Sequence, residues 1–202
     1  MKRVFAVLSV LGALLVSCSQ DEDALATQQS RIESYLRSTH SPRLISASER
    51  AEGEEVPFYS VSGSRVYRYI ANYFAPGRDE RPEVTPSSTV AITFRAYVFE
   101  YKNIATGGTT VTMPYYTNDP LLYDAFLSLE GFNPELWDFE PLRLEMSGDD
   151  ILKGLRHALL GCRAGDEVEA YMTYNMAYGK ENFSLVPRES PIAIFFTVNS
   201  VE

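Results

Sequence analysis

An α+β domain, with an antiparallel sheet wrapped on one short central helix, is what this 202-residue sequence predicts. Three observations carry that expectation. Stretches of alternating apolar residues lie both before and after a single compact helical segment. The clearest of them is TVAITFRAYVFEY, where Val90, Ile92, Phe94, Ala96 and Val98 point one way and Ala91, Thr93, Arg95 and Tyr97 the other, as in a half-buried strand. The helical segment is ILKGLRHALLG, whose Leu152, Leu155, Ala158 and Leu159 form one apolar stripe ahead of Gly161, a residue able to stop the helix in a left-handed conformation. With 45% hydrophobic residues over this length, one main domain can bury a core without disulfides.

The chain does not start inside that domain. MKRVFAVLSVLGALLVSC opens with Lys2 and Arg3, runs apolar from Val4 to Val16 and ends on small residues before Cys18. The run is shorter than the roughly 18 residues that a membrane span needs, so it predicts a cleavable secretory signal. Leu15-Val16-Ser17-Cys18 resembles the lipobox of bacterial lipoproteins. That resemblance implies a signal peptide over 1–17, lipid on Cys18, and membrane attachment without a spanning helix, outer membrane included. SQDEDA follows and resembles the surface-export signal of Bacteroidetes lipoproteins, although a charge run is equally a solvated tether; the periplasmic and surface sides both stay open. Removal of Lys2 and Arg3 takes the formal charge from −9 to −11, which repels phosphate backbones and excludes nucleic acid as a partner. Lipidation consumes Cys18 and leaves Cys162 alone. His40 and His157 have no partners at ligand spacing, so neither a disulfide framework, a metal nor a cofactor is expected.

Residues 18–57 are then a lipidated tether with a helix and a linker, and residues 58–202 the domain. Ala24 to Ser38 places Leu25, Ile32, Tyr35 and Leu36 on one side of a short helix that packs on the domain or a neighbour. His40 to Pro57 is polar, punctuated by Pro and Gly, and reads as linker. FYSVSG and SRVYRYIANYF are β-prone, and APGRDERPEVTPSS is a loop. Gly107-Gly108 marks a turn. Met113 to Phe139 is a long insert whose aromatics, Trp137 among them, are expected to fold over the sheet as a helix and a strand. EPLRLEM supplies a strand with Leu142, Leu144 and Met146 on one face. Asp149 and Asp150 suit a helix N-terminus. DEVEAYMTY alternates again and SPIAIFFTVNSV closes the sheet.

The punctuation of Ile151 to Gly179 resembles the C-terminal half of an FKBP-type peptidyl-prolyl isomerase. The family pattern V-I-x-G-W-x-x-G-L-x-x-M-x-x-G-E, A-Y-G and I-P-x-x-x-x-L-x-F meets Ile151-Leu152-Lys153-Gly154-Leu155, Leu159-Leu160-Gly161-Cys162, Gly165-Asp166-Glu167, Ala177-Tyr178-Gly179 and Ser190-Pro191-Ile192-Ala193-Ile194. The strand from Val90 to Val98 resembles the family's V-x-V-x-Y-x-G-x-L, with Phe94 for Tyr and Ala96 for Gly.

The resemblance implies a reaction. Rotation about an Xaa-Pro bond is slow unaided, and its twisted transition state has lost amide resonance, so a dry apolar pocket with one or two donors favours it. No base, nucleophile or metal is needed. The resemblance assigns Tyr178 as the hydroxyl donor and Leu152 as a backbone N–H donor to substrate carbonyls. It makes Phe94, Tyr115, Leu142, Ile151, Leu155 and Ile194 the pocket lining, with Phe183 and Leu185 on an overhanging loop. Leu155 stands where the family has tryptophan, Leu142 and Ile194 where it has phenylalanine, and Tyr116 where it has aspartate; Asp119 and Asp124 do not restore that carboxylate. Two functions follow from the resemblance: a cell-envelope isomerase, slow or selective, acting on proline-containing peptides or unfolded envelope proteins, or a non-catalytic module binding an extended peptide or partner through the same groove.

Overall fold

The computed structural model of the chain describes residues 21–51, 53, 58–100 and 112–202. The signal run, the lipobox, part of the expected linker and the Gly107-Gly108 turn lie outside those residues. Helix α1 occupies residues 21–38. Strands β1 (Ser60–Ser62), β2 (Val66–Ile70) and β3 (Thr89–Val98) follow, then β4 (Tyr116–Thr117), α2 (Tyr123–Leu127), β5 (Leu142–Glu145), α3 (Lys153–Leu159), β6 (Glu167–Met172) and β7 (Ile192–Val201). The strands form one sheet in the order β1-β2-β6-β7-β3-β4, with β5 also on β3, and every pairing is antiparallel. The expected α+β architecture, an antiparallel sheet around a short helix, is what the chain adopts.

Both faces of the sheet are covered. On the inner face Leu155, Ala158 and Leu159 of α3 share a buried cluster with Val66, Ile70, Val90, Ile92, Phe94, Val168, Met172, Ile192 and Ile194. Gly154 allows α3 to lie this close: a Cβ there would stand 2.9 Å from the Met176 carbonyl oxygen and 2.5 Å from Met172 Sδ. Arg68, also on the inner face, donates to the carbonyls of Ala158 (3.0 Å) and Leu160 (2.6 Å), so a guanidinium satisfies the orphan acceptors at the end of α3. Gly161 follows at φ +77°, the left-handed stop its position predicts.

On the outer face α1 buries Ile32, Tyr35 and Leu36 against Tyr67, Tyr69, Tyr171 and Ala193. Each such side chain contributes about 1.5–3 kcal/mol when taken from water, so α1 is part of the domain's fabric and not only a tether. On this face Tyr97, a strand position expected to face solvent, is buried against Phe195 at 5.6 Å, and Phe195 packs on the second layer.

Two expectations need correction. His40 to Pro57 is not a plain linker. His40 is buried, with Nε2 2.9 Å from Glu169 Oε2 and Nδ1 2.6 Å from the Pro42 carbonyl, and Leu44 joins the outer core. Local polarity hid this because the partners come from β6. Asp149 and Asp150 do not cap α3. The helix begins at Lys153, with Leu152 as its N-cap and no side-chain cap, because the chain first dips inward to bury Ile151.

The insert packs as expected, with less regular structure than a full helix and strand. Trp137 donates from Nε1 to the Thr117 carbonyl at 2.6 Å and meets Tyr116, Phe126 and Phe132 at ring distances of 5.4, 5.2 and 5.8 Å. Tyr116 in turn sits edge-on to Phe94 at 5.2 Å, which ties the insert to β3.

Candidate functional site

The inner core cluster includes Phe94, Ile151, Leu155 and Ile194, all buried, and Tyr115, Leu152 and Tyr178 pack against it half-buried. Seven of the ten residues expected at the site therefore share one apolar body. They come from β3 (Phe94), the chain before β4 (Tyr115), the entry to α3 (Ile151, Leu152, Leu155), the loop after β6 (Tyr178) and β7 (Ile194). A cleft of about 370 Å³ opens beside them, lined by Ile151, Leu152 and Tyr178, with Asp149, Asp150 and Lys153 at its rim. Because α3 lacks a side-chain cap, its first-turn N–H groups lie at the Leu152 edge of this cleft without competition from one.

Tyr178 is held from two sides. Its ring stacks on Phe183 at 4.2 Å and 6°. Its hydroxyl accepts a hydrogen bond from the Tyr115 hydroxyl at 3.2 Å, with the rings edge to face at 6.3 Å. Burial, reinforced by the neighbouring Tyr178, pushes the Tyr115 phenol well above the ordinary tyrosine range. Burial also raises Tyr178, and the bond it accepts from Tyr115 offsets part of that rise. Both hydroxyls keep their protons at neutral pH.

The loop that presents Tyr178 is braced locally and from afar. The Ala177 and Gly179 N–H groups both donate to the Tyr174 carbonyl, at 3.0 and 2.8 Å, and Gly179 takes φ +69°, which favours glycine there. Gln28 of α1 accepts from the Tyr174 N–H (2.9 Å) and donates to the Glu189 carbonyl (2.8 Å), so one side chain clamps both ends of the loop. Nothing in the local sequence announces Gln28, since its partners lie more than a hundred residues away.

The remaining expected residues stand apart. Leu142 is 37% exposed on β5 opposite Ile92, outside the buried cluster. Phe183 and Leu185 belong to a tight turn closed by reciprocal backbone bonds between Phe183 and Val186. Phe183 reaches the site through its stack on Tyr178, whereas Leu185 is 78% exposed. Tyr116, where the resemblance expects an aspartate, meets Trp137 of the insert at 5.4 Å. Asp119 caps the 3-10 turn Pro120–Leu122 by accepting from the Leu121 N–H, and pairs with Arg95 at 3.2 Å, so it is engaged away from the tyrosines. Among the described residues no group of three His, Cys, Asp or Glu side chains is placed to hold a metal. Burial pushes the Cys162 thiol up to about 11, and it donates to the Ala158 carbonyl as an inert core group.

Residues 121–199 match the family model described as FKBP-type peptidyl-prolyl cis-trans isomerase. That segment holds Leu142, Ile151, Leu152, Leu155, Tyr178, Phe183, Leu185 and Ile194; Phe94 and Tyr115 precede it. Among solved structures the chain is similar to the N-terminal domain of FKBP42 from Arabidopsis thaliana, at 16% identity and TM-score 0.46, covering 75% of this chain and 98% of that one. It is also similar to FkpA from Escherichia coli, at 13% identity and TM-score 0.49, covering 98% of this chain and 71% of that one. No match was found among curated proteins.

Proposed function

We propose that this protein, through its FKBP-type segment, is a peptidyl-prolyl cis-trans isomerase that assists folding in the cell envelope. The observation that carries this reading is the meeting of Tyr178, Leu152 and Ile151 at one cleft, within the matched residues and backed by the apolar core that holds Leu155, Phe94 and Ile194. A planar Xaa-Pro amide resists rotation by about 18–20 kcal/mol because resonance must be broken. The twisted amide is less dipolar, so the apolar body accepts it more readily than water does. Tyr178 donates from its hydroxyl to a substrate carbonyl, and the Leu152 N–H holds a second one.

Lipid on Cys18 anchors the protein in this reading, in the outer membrane and on its periplasmic or external side. Support comes from the lipobox-like sequence Leu15-Val16-Ser17-Cys18 at the end of the apolar run. Leu155 at the pocket floor favours the second reading, a non-catalytic module that binds extended proline-containing segments, because an aliphatic floor stacks a proline ring less well than an indole. Isomerisation of a Phe-Pro or Leu-Pro peptide by the full-length protein separates the two. The isomerase reading expects acceleration over the spontaneous rate; peptide binding without acceleration contradicts it and leaves the second.

A further inference from the structure

We infer that Tyr115 is a positioning residue: by donating its hydroxyl proton to Tyr178 it directs the Tyr178 proton into the cleft, toward the substrate carbonyl. The inference rests on the isomerase reading and adds a role for a side chain that resemblance alone makes a pocket wall. Each phenol has one proton to donate. The Tyr115 proton is committed to the Tyr178 oxygen at 3.2 Å. Tyr178 therefore cannot satisfy its own proton on Tyr115, and among the described residues no acceptor takes it. Its ring has little freedom to turn away, since Phe183 stacks on it at 4.2 Å and 6°. Rotation of the hydroxyl about its C–O bond is the freedom left, and the accepted hydrogen bond restricts it.

Tyr115 is itself well placed for this task. Its backbone N–H donates to the Ala96 carbonyl at 2.9 Å, which anchors it beside β3, and its ring packs on the buried cluster. Its raised pKa keeps it a donor across the working pH range. Accepting a hydrogen bond also polarises the Tyr178 O–H and strengthens it as a donor, because hydrogen bonds in a chain reinforce one another. The cost of a misdirected donor is kinetic: the bond that should form with the substrate carbonyl must first be oriented.

The test compares Tyr115→Phe, Tyr178→Phe and the double variant in the full-length protein, by isomerisation of a Phe-Pro peptide and by the carbon-13 resonance of the Tyr178 ring carbon that bears the hydroxyl. The expected result is a several-fold fall in kcat/KM for Tyr115→Phe, no further fall when it is added to Tyr178→Phe, and a displaced Tyr178 resonance in Tyr115→Phe. A purely structural role would instead give additive losses in the cycle. An active wild type matched by Tyr115→Phe overturns the role of Tyr115 alone. An unmoved Tyr178 resonance overturns the hydrogen bond on which it rests. A wild type without activity overturns the isomerase reading, and the positioning role with it.

Discussion

Asn118 shows how one side chain can stand in for a length of strand. β4 and β5 share an edge of β3, β4 opposite Arg95 and Ala96 and β5 opposite Thr89 to Ile92. Buried Asn118 fills the break. Its Oδ1 accepts from the Phe94 N–H (2.6 Å), and its Nδ2 donates to the carbonyls of Ile92 (2.9 Å) and Glu140 (2.8 Å). Because Phe94 lines the apolar body, this splice also sets where one wall stands. Asn118→Ala is expected to orphan several buried polar groups at roughly 1–3 kcal/mol each, giving a multi-kcal/mol loss in urea unfolding. A loss below about 1 kcal/mol would show that water replaces the amide. The work of Asn118 is long-range, with partners 22 to 26 residues away in sequence. Tyr178 and Leu152 were legible because A-Y-G and the entry to the helix are local patterns. The Tyr115–Tyr178 bond was not, since no spacing in the sequence says that two tyrosines 63 positions apart meet at their hydroxyls.

At the scale of elements, periodicity revealed what each segment is and concealed what covers it. The strand around Val90, the stripe of α3 and its stop at Gly161 follow from repeats of two and 3.6 residues. The outer layer does not, because no spacing says that Tyr67, Tyr69 and Tyr171 lie beneath α1. His40 fastens that layer. Burial alone would lower its pKa, but the hydrogen bond and charge of Glu169 outweigh burial and leave it above the ordinary imidazole value. Tyr171 donates to the same carboxylate oxygen at 2.6 Å. A raised folded-state pKa contributes stability that is complete below the unfolded value, about 6.5, and is lost as pH rises through the folded value. The melting temperature is therefore expected to fall between pH 6 and the alkaline side of neutrality, and His40→Gln should flatten that slope. Equal slopes in the two proteins would remove His40 as the cause. Since Gln28 of the same helix clamps the Tyr178 loop, loosening α1 reaches the site.

Over the whole molecule, two apolar layers lie on opposite faces of one sheet, and the cleft belongs to the inner one. The outer layer ties the N-terminal helix to the domain, so a lipid at Cys18 would hold the cleft near a bilayer surface through a short leader. Cys18→Ala is expected to move the protein from the membrane fraction to the soluble one, because acyl chains supply the anchoring in this reading. A variant that still sediments with membranes would remove the lipid from the explanation. In the proposed reading an apolar body and one directed phenol at the cleft suffice for isomerisation, with no base or metal. Tyr178→Phe keeps the ring and its stack on Phe183 while removing the hydroxyl, a change of about 1 kcal/mol per hydrogen bond. The most direct measurement is the rate of cis-trans isomerisation of a Phe-Pro peptide with wild type and Tyr178→Phe at matched folded concentration. The prediction is acceleration by wild type and a several-fold weaker one by Tyr178→Phe; a wild type that leaves the spontaneous rate unchanged would contradict it.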